Sequence, residues 1–376
     1  MNKEINFDGP RACGQYDLSG VIDLCNLVMR VIETHPDYKS GWPNIGYLYP
    51  HVYNHENAEN IRLISINGKP VSSVAIYSSD VKTSRGNISV GGINCFVTHP
   101  EFRRSGLGGL VLDDAHRKME SIGNEIALLS TMIPDYYRKS GWELAGGQRT
   151  FTLDRGNISY LPDRTGLDIE EDWKPYLAEL MELNQQQPLR ASRTSRLFEL
   201  LIERRLGRVF IARRGDRIVA YCALGHSQNP QIIEYGGRNE DVCSLIRGIF
   251  GIIDDLSIST STRSGRERPT TELSVTTPYL NHGLSNMLLE RGIPNSLGYI
   301  GMIKILDPYK LFKTLGLDDV INLEKNDMSW RVSHGTNELI LTDHEVVKLV
   351  FGPEQFQGFA PQLFPVDFYQ FHADRV

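Results

Sequence analysis

Phe96-Val97-Thr98-His99-Pro100-Glu101-Phe102-Arg103-Arg104-Ser105-Gly106-Leu107-Gly108-Gly109 joins two kinds of segment. Before it runs an apolar stretch, Ile93 to Val97; after it comes an amphipathic one that starts at Leu107. Leu107, Val111, Ala115, Met119 and Ile122 recur at the three- and four-residue spacing of one buried helix face. Asp114, Arg117, Lys118 and Glu120 lie off that face, and Gly123-Asn124 supply a C-terminal stop. A strand, a glycine-rich turn and a helix in this order make a cradle for a phosphate. The turn's N–H groups point at the anion, the helix N-terminus adds partial positive charge, and glycine lets the backbone come close. The spacing is not G-x-G-x-x-G, and no Gly-Lys-Ser/Thr follows, which sets aside the dinucleotide fingerprint and the P-loop.

The rest of the chain sets bounds on the ligand and the compartment. With 376 residues, 40% of them hydrophobic and 23% charged, the chain has ordinary globular composition and room for two or three domains. No apolar run approaches the roughly 18 residues of a membrane helix. Met1 to Asn6 lacks the apolar core of a secretory signal. Five scattered cysteines (Cys13, Cys25, Cys95, Cys222 and Cys243) suit a reducing cytoplasm better than a disulfide framework. His51 and His55 lie four apart but lack the H-E-x-x-H pattern, so no metal is expected. A net charge of −6 disfavours a nucleic-acid partner, is compatible with a cationic amine, and mostly reflects solubility.

Organisation along the chain is that of an α/β protein with an internal repeat. Val21–Ile32 reads as a helix. Ile61–Ile66 and Val71–Tyr77 form a hairpin at Asn67-Gly68, followed by a strand over Ile88–Val97 and the turn and helix above. A strand over Ile126–Ser130, a helix over Tyr136–Ser140 and a strand over Gln148–Leu153 complete a first domain, residues 1–157. A second domain, 158–306, repeats the order. Helices span Asp172–Leu183 and Ser195–Leu206, and strands span Val209–Arg213, Ile218–Gly225 and Gln231–Tyr235. A helix over Asn239–Leu256, a strand over Glu272–Thr276, a helix over Tyr279–Arg291 and a strand over Tyr299–Leu306 finish it. Where the first copy has its basic turn, the second has Gly236-Gly237-Arg238-Asn239-Glu240-Asp241, whose two carboxylates repel a phosphate. Residues 307–376 make a small last domain: a helix over Asp307–Leu315, strands and a helix between Trp330 and Leu349, and an aromatic tail. Phe359, Phe364, Phe368, Tyr369 and Phe371 call for packing against the body.

The order Arg103-x-x-Gly106-x-Gly108 resembles the pyrophosphate loop of the GNAT (GCN5-related) N-acetyltransferases. Tyr136-Tyr137-Arg138-Lys139-Ser140-Gly141-Trp142 resembles the element that closes the same family's core. The three-part plan resembles the Eis-like branch, in which an active GNAT domain and a degenerate GNAT copy precede a small sterol-carrier-like α/β domain. The resemblance implies acetyl-CoA as co-substrate. It assigns the backbone of Cys95, Phe96 and Val97 to the pantetheine arm and the thioester oxygen. It gives the pyrophosphate to Arg103, Arg104, Ser105, Gly106, Leu107, Gly108 and Gly109. It makes Tyr137 the acid that protonates the departing thiolate. The strand Ile88–Val97 carries no carboxylate to act as base. In the Eis-like branch the chain's own C-terminal carboxylate does this work, which here implies Val376. Asp80, Asp135 and His99 are lesser candidates.

The expected activity is transfer of acetyl to a primary amine of a small cationic molecule (aminoglycoside, polyamine or amino sugar) or of lysine. The alternatives are a different acyl-CoA donor, or a non-catalytic acetyl-CoA sensor or ligand-binding protein. The resemblance also implies a homo-oligomer.

Overall fold

The structure is a computed structural model that describes residues 6–29, 44–163, 166–225, 230–264, 271–280 and 282–376. The first third follows the order β1 (Asp8–Ala12), α1 (Leu18–Met29), α2 (Ile45–Leu48), β2 (Ile61–Ile66), β3 (Lys69–Lys82), β4 (Asn87–Thr98), α3 (Leu107–Ser121), β5 (Ile126–Leu129), α4 (Pro134–Arg138) and β6 (Glu143–Leu153). β2 and β3 turn at Asn67-Gly68 as the sequence predicts, and α3 starts at Leu107. α1 begins three residues before the expected Val21, and residues 30–32 lie outside the described residues.

The middle third contains β7 (Asp168–Glu170), α5 (Leu177–Gln185), β8 (Arg190–Ala191), α6 (Ser195–Arg205), β9 (Val209–Arg214), β10 (Arg217–Leu224), β11 (Gln231–Gly237), α7 (Asn239–Ser264), β12 (Leu273–Pro278), α8 (Gly283–Glu290) and β13 (Asn295–Ile305). Several expected bounds shift, and α7 runs on past Leu256 to Ser264. A short 3-10 turn at Lys174–Tyr176 delays α5. Tyr279 and Leu280 stay outside α8, and β13 starts four residues before Tyr299. The last third holds α9 (Pro308–Thr314), β14 (Asn322–Asn326), β15 (Ser329–His334), β16 (Asn337–Leu341) and α10 (Asp343–Phe351), which opens on a capping box between Thr342 and Glu345.

The internal repeat is visible in strand direction. β2, β3 and β4 run antiparallel, and β5 then lies parallel to β4, with Val90 opposite Ile126. β9, β10 and β11 repeat this, with β12 parallel to β11 and Gln231 opposite Ser274. Each parallel pair is bridged by a helix, α3 or α7, as parallel neighbours require. The two copies exchange their final strands. Among the described residues one sheet runs β1-β2-β3-β4-β5-β13-β6-β12-β11-β10-β9-β7, with β8 paired to the far end of β3. β6 was expected to close the first copy; instead β13 takes the edge of β5, and β6 pairs with β12. β6 and β13 also pair with each other from Phe151–Asn295 to Glu143–Ile303, a long antiparallel ladder that shorter neighbours cannot match.

This exchange merges the cores. One apolar cluster takes in Phe210, Ile246 and Val275 of the middle third, Val332 and Val347 of the last, and the tail's Phe364, Phe368, Tyr369 and Phe371. The tail therefore packs, as its aromatic content requires. Phe371 is 1% exposed and meets Tyr235 and Tyr369 edge-to-face, with ring centroids 5.2 and 5.4 Å apart. Phe371→Ala is expected to cost about 3–5 kcal/mol of unfolding free energy. Denaturant titration checks it, with Tyr16→Ala at a 91% exposed position as the near-neutral control.

Candidate functional site

β4 and β5 pair only from Val90–Ile126 to Gly92–Leu128. β4 runs on to Thr98, whereas β5 ends at Leu129. A bulge helps to part them. Ser73 faces Val97 and Ala75 faces Asn94, so Cys95 and Phe96 together face Val74. Cys95 takes a left-handed φ of 41° to make this possible. The Cys95 side chain points away from the opening into an apolar cluster with Cys25, while Phe96 packs on the other side with Leu107 and Tyr137. Past the bulge, the edge of β4 toward β5 has no strand partner among the described residues, a slot that an extended ligand arm can fill as an added strand.

At the far end of this edge lies the basic turn. Gly106, at φ 85°, caps α3 without a side-chain bond, and no acidic residue occupies the helix's first turn. The first N–H groups of α3, from Leu107, Gly108 and Gly109, are thus left for a ligand. Arg103, Arg104 and Ser105 are exposed, and the Ser105 hydroxyl donates to the Phe102 carbonyl and shapes the turn. Leu107 is 2% exposed and anchors the helix in the core, so its contribution is its backbone. The corresponding end of α7 carries Glu240 and Asp241, and Asp241 is paired with Arg214 at 2.6 Å.

Tyr137 stands beside the slot on α4. It is buried among Phe96, Tyr136 and Trp142, with ring centroids 6.2, 5.1 and 6.1 Å away. Trp142 is itself fixed, donating from Nε1 to His116 Nε2 at 3.1 Å. Burial, and then the neighbouring Tyr136, push the Tyr137 phenol up to about 12. It stays protonated across the physiological range.

The tail arrives from the other side. Val376 closes on β4 at Gly92, where a Cβ would run into its Cγ2. It lines a small cavity with Tyr77, Gly92, Leu128, Ser130 and Arg375, at the point where β4 and β5 part. Tyr77 also borders a larger open cavity of about 580 Å³, whose wall includes His51, Asn54, Glu56, Thr194 and Arg196. His51 packs edge-on to Tyr77 at 4.8 Å. Burial, with Arg205 and Arg193 nearby, lowers it to about 4, so the imidazole is neutral.

The other carboxylate and imidazole candidates fall outside this assembly. Asp135 is 92% exposed and paired with Arg138 at 2.6 Å; His99 caps the Glu101 N–H at the turn; the Asp80 side chain is exposed on β3, away from the cavities. Sequence reasoning weighed His51 only as a metal ligand and missed Tyr77, Arg193 and Glu234. Only Glu234 left a trace, as a lone acid inside the apolar run Ile232-Ile233-Glu234-Tyr235. Among the described residues, no cluster of three His, Cys, Asp or Glu side chains could hold a metal, and no helix is long and apolar enough to cross a membrane.

Residues 10–145 match the acetyltransferase (GNAT) domain family. No curated protein sequence matches the chain. Among solved structures, a GCN5-related N-acetyltransferase from Anabaena variabilis is similar at 14% identity and a TM-score of 0.62, over 94% of this chain and 93% of that one. A GCN5-related N-acetyltransferase from Kribbella flavida is similar at 11% identity and a TM-score of 0.60, over 90% and 83%. Eis1 from Mycobacterium abscessus is similar at 11% identity and a TM-score of 0.56, over 89% and 84%. These likenesses extend the shared fold well beyond residue 145. Residues 10–145 thus carry a GNAT acetyltransferase domain, and the structural likenesses extend the shared fold over most of the chain.

Proposed function

We infer that the protein transfers acetyl from acetyl-CoA to a primary amine. The observation that carries this reading is the slot between β4 and β5, with a basic glycine turn at one end, Tyr137 on one side and the chain's tail on the other. The division of labour follows the chain: residues 1–157 hold the donor, 158–306 the degenerate copy, and 307–376 the small last domain with its tail.

In this reading the pyrophosphate lies on the N–H groups of Gly106 to Gly109, with Arg103 and Arg104 as counter-charges. The pantetheine arm pairs with the backbone from Cys95 to Val97. An N–H at Phe96 or Val97 donates to the thioester oxygen, where negative charge develops during attack. The acceptor enters through the cavity beside His51 and Tyr77. The Val376 α-carboxylate, ionised at neutral pH, takes the amine proton. The C–N bond then forms and the C–S bond breaks, while Tyr137 offers its proton to the departing sulfur. Held on one scaffold, the two reactants meet at high effective concentration.

A thiol-release assay with an amine panel of aminoglycosides, polyamines, amino sugars and lysine peptides tests this. Tyr137→Phe should lower kcat on the order of 10²-fold while acetyl-CoA binding is kept. A chain ending in a Val376 carboxamide, with the last residue checked by intact mass, should lose a similar factor, and full activity in it overturns the terminal base. Because burial holds Tyr137 at about 12, kcat should not fall on the alkaline side below about pH 10. Arg103→Ala with Arg104→Ala should raise the KM for acetyl-CoA and leave kcat nearly unchanged, which initial-rate kinetics reads directly.

A further inference from the structure

The grip on the tail comes from the middle of the chain. Arg193 lies in the turn between β8 and α6, and its side chain is 2% exposed. It donates from Nη1 and Nη2 to the two oxygens of Glu234, each at 2.8 Å. It donates from Nε and Nη2 to the two oxygens of Asp374, at 2.6 and 2.7 Å. Glu234 is fully buried in β11, Asp374 is two residues from Val376, and both pairings are two-pronged. Glu234 is supported in turn: the Tyr221 hydroxyl donates to it at 3.0 Å, and Asn184 donates to that hydroxyl at 3.2 Å. Burial opposes the charge on Arg193, but the Asp374 and Glu234 carboxylates outweigh it and keep the guanidinium protonated.

The backbone of the tail is fastened as well. Arg205 donates to the Arg375 carbonyl at 2.8 Å and the His372 carbonyl at 3.2 Å. Arg375 Nε donates to the Gln370 carbonyl at 3.0 Å. A buried arginine between two carboxylates is a poor way to gain stability, since apolar replacements of such groups are often neutral or stabilising. What it supplies is a fixed direction and distance. Each fork permits one planar arrangement, and Arg193 therefore locks Asp374 to a strand of the second copy.

We propose that Arg193, gripped by Glu234, is a positioning residue that sets the Val376 carboxylate at the opening between β4 and β5. This rests on the reading of Val376 as the base. It gives the second copy, whose own helix terminus is occupied by acids, a role in the reaction: it is the mount for a group that acts in the first copy's site.

The test is a double-mutant cycle on the full-length protein, between Arg193→Lys and the Val376 carboxamide, read as kcat and as KM for acetyl-CoA. Lysine keeps the charge and loses the fork. With the natural terminus, Arg193→Lys should lower kcat by roughly 10- to 100-fold, the scale of an ångström-level misplacement, with KM for acetyl-CoA within about twofold. In the carboxamide chain the same substitution should lower kcat no further. An equal loss in both backgrounds, or no loss with the natural terminus, overturns the proposal. Full kcat in the carboxamide chain alone defeats the base reading, and the clamp with it, through a measurement that does not involve Arg193. If Arg193→Lys does not fold, Tyr221→Phe removes only the hydroxyl behind Glu234. It should lower kcat in the same direction by a smaller factor, and this too should vanish in the carboxamide chain.

Discussion

Pairing between β4 and β5 stops at Gly92 and Leu128, and the organisation of the site follows from that stop. A parallel pair that ran its full length would satisfy its own N–H and C=O groups and leave no room for an extended arm. The bulge at Cys95 and Phe96 turns β4 aside after Gly92 and exposes one backbone edge. That edge ends at the turn where α3 begins with free N–H groups and no acid beside them. The same parting opens a gap at Gly92, and the tail fills its rim with Val376.

Strand exchange explains how a tail more than two hundred residues downstream can reach that rim. β13 takes the edge of β5, and β6 crosses to β12, so neither copy has a complete sheet of its own. The two halves cannot separate without breaking the β6–β13 ladder, and the apolar cluster beneath it is continuous from the second copy into the last segment. Phe364, Phe368, Tyr369 and Phe371 bury themselves in that shared core and bring Asp374 to Arg193. Apolar burial supplies the drive for docking the tail, and the two-pronged ion pairs give it an orientation.

The two copies differ at the N-terminus of the crossover helix. α3 presents glycines and flanking arginines; α7 presents Glu240 and Asp241, one of them already matched by Arg214. A helix terminus that carries its own carboxylates has satisfied its partial positive charge and has no use for a phosphate. The fold persists in both copies because strand pairing and core packing do not depend on those few residues, whereas anion binding does.

Local rules were enough for the sequence to reveal the turn at Asn67-Gly68, the face and start of α3, the basic glycine loop, the aromatic run around Tyr137 and the demand that the tail be packed. Each depends on residues close together in the chain, where periodicity, backbone preference and charge act directly. The exchange of β6 and β13 was beyond reach, since either strand satisfies the local pattern and only competition for the edge of β5 decides between them. The partnership of Arg193, Glu234 and Asp374 was equally hidden: with the two acids 41 and 181 residues from Arg193, nothing local joins the three until the fold buries them together. The sequence by itself determined the glycine turn and the start of α3, a cradle of N–H groups, because a helix terminus and its turn are local objects. The tertiary structure decided which residues stand opposite that cradle, because burial and ion pairing depend on what the whole chain brings within a few ångströms.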